Sequence, residues 1–138
     1  MALILDTGPV LAILDADDPD HAACADLVRS CRQPLVLVST TLVEIDYWIR
    51  KRLDTGVWSA FVGDIAGGAY RLEHVGADDL ARAAELERAY AKLNLGLVDA
   101  SVIAVCERLG EQKVATLDHR HFGVVQPRHC KRLQIVPT

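Results

Sequence analysis

Short apolar runs alternate along this chain with longer stretches in which apolar residues recur at helical spacing. Runs such as Leu35-Val36-Leu37-Val38 contain no polar position, which is typical of strands buried on both faces of a sheet. Runs without a polar position predict strands at residues 2–5 and 35–38, and runs that include polar positions predict further strands at residues 70–75, 113–117 and 133–136. The helical spacing predicts helices at residues 10–14, 21–31, 42–53, 57–66, 77–93, 97–110 and 119–122.

The order of these elements predicts the fold class. Strands alternate with helices, and no hairpin turn joins two strands directly. Parallel strands need long crossover connections, and helices in the crossovers cover both faces of the sheet. We therefore expect an α/β protein with a mostly parallel sheet, in one domain that spans residues 1–138.

The stretch from Leu97 to Cys106 is apolar on every side of its predicted helix. Its polar side chains are Asp99 and Ser101, so we expect the helix to lie inside the domain rather than on its surface. A carboxylate among apolar neighbours needs a partner, which can be a base, backbone donors or a metal ion. The alternative is that Asp99 interacts only with the amides and dipole of the first turn.

Four acids, which we call the acidic quartet, are expected to meet at the carboxyl edge of the sheet, where such folds form their working crevice. Asp6 and Asp118 follow predicted strands, and Glu44 and Asp99 begin predicted helices near that edge. Close carboxylates repel one another, so they take up protons or hold cations. No Lys or Arg adjoins them in sequence, and oxygen ligands alone favour Mg²⁺ or Mn²⁺ over zinc.

Each acid also has a purely structural interpretation. Asp6 and Asp118 can cap the turns that follow them. Glu44 ends the sequence Thr41-Leu42-Val43-Glu44, which matches a capping box, and it points away from the apolar side of its helix. Asp46 lies nearer that apolar side, where we expect a buried cap or an ion pair.

Composition narrows the classes of function. Hydrophobic residues make up 51% and charged residues 25% of the 138 residues, as in globular domains. No apolar run approaches a membrane span, and the 4 cysteines lack zinc-site spacing, so we expect buried thiols in a reducing cytoplasm. The net charge of −4 argues against a protein that coats nucleic acid, but not against a nuclease.

Four segments together resemble, in order and spacing, the signature segments of PIN-domain ribonucleases. They are Leu3-Ile4-Leu5-Asp6-Thr7-Gly8, Ser39-Thr40-Thr41-Leu42-Val43-Glu44, Leu97-Val98-Asp99-Ala100-Ser101 and Ala115-Thr116-Leu117-Asp118-His119-Arg120-His121-Phe122. The compact length is similar to that of the VapC toxins of bacterial toxin–antitoxin pairs. The resemblance implies an α/β/α sandwich around a five-stranded parallel sheet, and an endoribonuclease that needs Mg²⁺ or Mn²⁺. It also implies a homodimer and a cognate antitoxin of the VapB type.

The same resemblance implies roles for individual residues. Asp6 and Asp99 match the principal metal-binding acids, and Glu44 and Asp118 complete the acidic quartet. Many relatives carry Asn or Asp at the position of Asp118, so that acid is expected to matter less. Thr116 matches a small hydroxyl residue that supports the site, and Thr7 is a second candidate.

Hydrolysis of RNA by metal-activated water, as the resemblance implies, would leave 5′-phosphate and 3′-hydroxyl ends. His119 and His121 are expected to contact RNA rather than metal, because no Cys or further His accompanies them at ligand spacing. Tyr47 and Trp48 can stack a base, pack in the core or lie in a dimer interface.

The helices predicted at 42–53 and 57–66 carry more large apolar side chains than a monomer of this size usually exposes. This excess predicts an interface at Trp48, Val57, Trp58 and Phe61, and the family resemblance implies that part of it is a dimer interface and part an antitoxin groove. The alternative is that these side chains fill the core, which is the interpretation we favour for Phe61.

Three other classes of protein share features with this sequence. Residues 4–8 also resemble the signature of aspartic proteases, but those enzymes are all-β. Haloacid-dehalogenase-like phosphatases need a second Asp where this chain has Gly8. The remaining alternative is a PIN-like module that binds RNA or protein without catalysis, and the presence of all four acids argues against it.

Overall fold

The structure is a computed structural model that describes all 138 residues. The central strand of its sheet is β1 (Leu3–Leu5). It pairs with β2 (Leu35–Val38) on one side and β4 (Lys113–Ala115) on the other. β3 (Arg71–Glu73) and β5 (Gln134–Val136) form the edges, giving the order β3-β2-β1-β4-β5. All four pairings are parallel, which confirms the α/β prediction.

Two helical layers cover this sheet, so the molecule is the expected three-layer sandwich. The helices are α1 (Thr7–Leu14), α2 (His21–Ser30), α3 (Thr41–Arg52), α4 (Thr55–Ala66), α5 (Ala77–Ala89), α6 (Leu97–Leu109) and α7 (His119–Phe122), with a 3₁₀ turn at Ala91–Leu93. Leu3 and Leu5 face a core formed with α1, α3 and α4, whereas Ile4 faces a core formed with α5 and α6. The alternation arises because successive side chains of a strand point to opposite faces.

The apolar helix α6 lies where its sequence predicts. Every residue from Ala100 to Cys106 is buried, between the sheet and α5. The helix ends at Gly110, whose φ of 69° places it in the left-handed region that glycine tolerates best. Asp99 therefore stands in the first turn of a fixed central element.

Two helix boundaries differ from those predicted. α1 begins at Thr7, directly after Asp6, because Pro9 falls in the first turn, where the missing N–H has no intrahelical partner to lose. The helix expected over residues 77–93 divides into α5 and the 3₁₀ turn, and Asn94 then adopts a left-handed conformation with φ of 54°. No helix is long and apolar enough to cross a membrane.

Candidate active site

Asp6 is placed at the carboxyl edge of the sheet by the central strand. Its backbone N–H donates to the Ala115 carbonyl at 2.9 Å, which extends the β1–β4 ladder by one residue. Its Oδ2 accepts a 2.8 Å hydrogen bond from Thr116 Oγ1, whereas its Oδ1 is buried without a hydrogen-bond partner. Asp6 precedes α1 but makes no capping bond with its side chain, so the structural interpretation does not account for it.

The surroundings of Asp6 disfavour the charged form of its carboxyl. Burial, together with the nearby carboxylates of Asp99 and Glu44, raises the pKa of its carboxyl from 3.8 to about 6. The Thr7 backbone amide and the hydrogen bond from Thr116 favour the charged form and oppose the increase only in part. The raised pKa of Asp6 thus reflects the closeness of three of the four predicted acids: Asp6, Asp99 and Glu44.

Glu44 reaches the site from the first turn of α3. Its Oε1 accepts a 2.8 Å hydrogen bond from Thr7 Oγ1, in the residue that follows Asp6. The capping box, which was the structural alternative for Glu44, is not formed: Thr41 lies inside α3, whose N-cap is Thr40, and no side chain caps the helix. The Thr41 hydroxyl donates to the Val38 carbonyl at 2.7 Å. Thr7 is therefore the hydroxyl that orients Glu44, much as Thr116 orients Asp6.

A partly buried pair of hydroxyls joins the starts of the two helices that carry Glu44 and Asp99. Thr40 Oγ1 lies 2.7 Å from Ser101 Oγ, which in turn donates to the Val98 carbonyl at 2.9 Å. Ser101 has a single proton to donate, so Thr40 is the donor between the two side chains. The contact fixes the distance between α3 and α6 at the site.

The hydrogen-bond partner of Asp99 is His121, which lies 22 residues later in the sequence. His121 Nδ1 lies 2.6 Å from Asp99 Oδ2 and 2.9 Å from Asp118 Oδ2. Its Nε2 lies 2.9 Å from the Leu93 carbonyl in the 3₁₀ turn. A carbonyl can only accept, so Nε2 carries a proton, and the 2.6 Å contact of Nδ1 with Asp99 Oδ2 places another proton between these two atoms.

The surroundings of this histidine favour its charged form. Burial lowers the pKa of His121, but the hydrogen bond to Asp99 and the charges of Asp118 and Asp99 outweigh burial and raise it. Burial raises the pKa of Asp99 and the charge of Asp118 adds to the increase, whereas the hydrogen bond to His121 opposes it.

The structure differs from the sequence-based expectation at His121. Its side chain lies within the acidic quartet rather than on an outer RNA-binding surface, whereas His119 is exposed. The physical reason is the cap of α7: Asp118 Oδ1 accepts from the His121 backbone N–H at 3.1 Å, which turns that residue toward the acids. Asp118 is thus both the predicted cap and a member of the cluster. Its spacing of three residues from His121 was the available sequence signal.

The donor groups fit a divalent cation. One ligand atom each from Asp99, Asp118 and His121 lies within 4.8 Å of the others. The buried, unpartnered Oδ1 of Asp6 adds an oxygen that no protein donor satisfies. Thr116 links the two halves of the site, because its Oγ1 donates to Asp6 and accepts from the Asp118 backbone N–H at 3.0 Å.

The large side chains of α3 and α4 divide between core and surface. Phe61 is fully buried, in agreement with the core interpretation, and Val57 and Trp58 pack against the same core. Tyr47 and Trp48 are 51% and 36% exposed on α3, where they contact each other edge to face. Asp46 forms the expected ion pair, with Arg50 at 3.1 Å.

Comparisons with known proteins agree with this geometry. The family model for the PIN domain matches residues 3–126. Ribonuclease VapC26 of Mycobacterium tuberculosis is 32% identical over 135 residues, which cover 98% of this chain and 100% of that protein. The crystal structure of Mycobacterium tuberculosis VapC20, a Sarcin-Ricin loop cleaving toxin, superimposes with a TM-score of 0.77 at 24% identity, covering 82% of this chain and 87% of the other. A toxin–antitoxin complex from Klebsiella pneumoniae gives 0.69 at 15% identity, covering 91% and 92%.

Proposed function

Because this chain belongs to the PIN-domain family, we propose that it is a divalent-metal-dependent endoribonuclease that serves as the toxin of a toxin–antitoxin pair. Its relative VapC26 is a ribonuclease, and one protein of similar fold was solved in a toxin–antitoxin complex. RNA is the substrate, and the partner is an antitoxin protein of the VapB type.

The observation that carries the proposal is the buried Oδ1 of Asp6. This oxygen has no hydrogen-bond partner, although Asp99 and Glu44 lie close enough to raise the pKa of its carboxyl. Such an oxygen lies among other acids at the carboxyl edge of a parallel sheet, so it is available to coordinate a cation. We assign Asp6, Glu44, Asp99 and Asp118 to metal binding, and Mg²⁺ or Mn²⁺ to the site, because carboxylate oxygens suit both ions.

Hydroxyl side chains around the site position its carboxylates. Thr116 orients Asp6, Thr7 orients Glu44, and the Thr40–Ser101 pair fixes α3 against α6. A bound divalent cation supplies activation of water and neutralisation of the charge that develops on the phosphodiester. Because water attacks, the ribose 2′-hydroxyl takes no part, and the products carry 5′-phosphate and 3′-hydroxyl ends.

Expression of this chain in a bacterial host tests the proposal. The wild-type chain should arrest growth, and Asp6→Asn at the same protein level should lift the arrest, because Asn keeps the size of Asp but loses its charge. Co-expression of the cognate antitoxin should also lift it. In vitro, RNA cleavage should stop with EDTA and with Asp99→Ala, and Asp118→Asn should be milder.

Two results would contradict the proposal, and the first of them would identify a binding module. Arrest that persists unchanged with Asp6→Asn would show that toxicity does not depend on the carboxylates. Robust cleavage in EDTA would rule out the metal. An RNA with a single 2′-deoxy substitution at the cleaved nucleotide provides a further check, since it should still be cut.

A further inference from the structure

One ring nitrogen of His121 faces two carboxylates and the other donates to a backbone carbonyl, as is usual for histidines that bind metal. We propose that its Nδ1 is a nitrogen ligand of the cation site, together with the carboxylates of Asp99 and Asp118. The inference deepens the proposed function, on whose metal site it rests, and it changes the chemistry of that site from oxygen ligands alone to a mixed nitrogen and oxygen set.

The first argument is position. Nδ1 lies 2.6 Å from Asp99 Oδ2 and 2.9 Å from Asp118 Oδ2, so it points into the space that both carboxylates share. The three ligand atoms lie within 4.8 Å of one another, a spacing that a single ion can bridge. A cation bound there takes the place of the proton between Nδ1 and Asp99 Oδ2, and the Asp99 carboxylate moves away from Nδ1 to make room for the ion, while the ring keeps its orientation.

The second argument is the hydrogen bond on the other side of the ring. Nε2 donates to the Leu93 carbonyl at 2.9 Å. Histidines that bind metal almost always donate their second N–H to a carbonyl or carboxylate, because that bond fixes the ring and directs the other nitrogen at the ion. The 3₁₀ turn at Ala91–Leu93 provides this acceptor from outside the acidic quartet.

The third argument comes from a fourth residue, Asp6. The Oδ1 of Asp6 is buried and unpartnered, in a residue that is 6% exposed, and Asp99 acts on its charge. A polar atom left in this condition indicates a ligand at the same edge of the sheet.

The expected consequence is a preference for transition metals. Imidazole suits late first-row ions, whereas Mg²⁺ prefers oxygen. Co²⁺ should therefore bind more tightly than Mg²⁺, and the loss of the imidazole should weaken Co²⁺ binding much more than Mg²⁺ binding.

The test is titration of the RNA-free protein with Co²⁺, followed by calorimetry, visible absorption and proton NMR. Wild-type protein with ¹⁵N-labelled histidine should show one far-shifted, exchangeable imidazole N–H, from Nε2 of His121. His121→Asn should remove this signal and weaken Co²⁺ binding at least about tenfold. His119→Asn is the matched control on the same helix, and both properties should survive in it.

Other outcomes separate this inference from the proposed function. Asp99→Asn should abolish Co²⁺ binding; if it does not, the metal site itself is wrong. If Asp99→Asn abolishes binding while wild type shows no shifted histidine N–H, only the role of His121 is wrong. Tighter Co²⁺ binding by His121→Asn would also overturn the inference, because the imidazole would then compete with the ion. The NMR signal is read on wild type first, so the result does not depend on the folding of a variant.

Discussion

Thr116 and Asp6 are 110 residues apart in sequence and share a buried 2.8 Å hydrogen bond from Oγ1 to Oδ2. The same hydroxyl accepts from the Asp118 backbone at 3.0 Å. One side chain thus sets the position of two members of the acidic quartet, from strand β1 and from the cap of α7.

We predict that Thr116→Val slows RNA cleavage by about ten- to a hundredfold, in the range found when the outer-shell partners of metal ligands are lost. Valine keeps the shape of threonine but leaves Asp6 Oδ2 and the Asp118 N–H unpartnered. Thr116→Ser keeps the hydroxyl and is the matched control. Cleavage by Thr116→Val at the rate of Thr116→Ser would show that the hydroxyl does not position the acids.

The raised pKa of Asp6 predicts how stability depends on pH in EDTA. The folded carboxyl has a pKa of about 6, against 3.8 ordinarily, so the folded state binds the proton more tightly than the unfolded state. Its stabilising contribution is complete below pH 3.8 and is lost as the pH rises through 6. At about 1.4 kcal/mol per pKa unit, the loss is on the order of 3 kcal/mol.

Asp6→Asn does not titrate, so its stability should not show this loss. In urea unfolding with EDTA present, the variant should nearly match wild type at low pH and exceed it at neutral pH. A difference between the two proteins that stays constant across this range would contradict the assignment. Addition of Mg²⁺ at neutral pH should stabilise wild type and not the variant, because only the charged carboxyl binds the ion.

The exposed aromatic pair of α3 predicts the surface through which two copies associate. Val43, Tyr47 and Trp48 are 75%, 51% and 36% exposed, and Arg52 lies over the Trp48 ring at 4.4 Å. We predict that Trp48→Glu weakens the homodimer about tenfold or more, as loss of an interface tryptophan commonly does.

Leu80→Glu is the matched control for association. Leu80 is 45% exposed on α5, in the layer on the other face of the sheet. Light scattering over a range of protein concentrations should show a dimer for wild type and Leu80→Glu, and a larger monomer fraction for Trp48→Glu. A wild-type chain that stays monomeric at high concentration would contradict the dimer.

The placement of the acids could be predicted from sequence because it follows from the topology. An apolar run that ends in Asp6 and parallel strands whose carboxyl ends share one edge suffice to bring Asp6 and Asp118 together. The burial of α6 could also be predicted from sequence, since a helix without a polar face has to be central.

The hydrogen bonds of the site could not be predicted, because their partners lie far apart in sequence. His121 meets Asp99 across 22 residues and the Leu93 carbonyl across 28, and the second contact depends on a 3₁₀ turn with no sequence pattern of its own. The Thr41-Leu42-Val43-Glu44 pattern was misleading for a similar reason. Thr41 lies inside α3 and donates its hydroxyl to a strand carbonyl, and the Glu44 carboxylate accepts from a hydroxyl of another helix rather than from the backbone of α3.

The central position of β1 has a consequence for synthesis of the protein on the ribosome. Asp6 is synthesised before the strand that completes its surroundings, which begins at Lys113, and the cap that carries Asp118 comes later still. A nascent chain in which these later residues are still inside the ribosome therefore has Asp6 without Thr116, Asp118 or His121. The site is assembled only after the segment that contains His121 has left the ribosome.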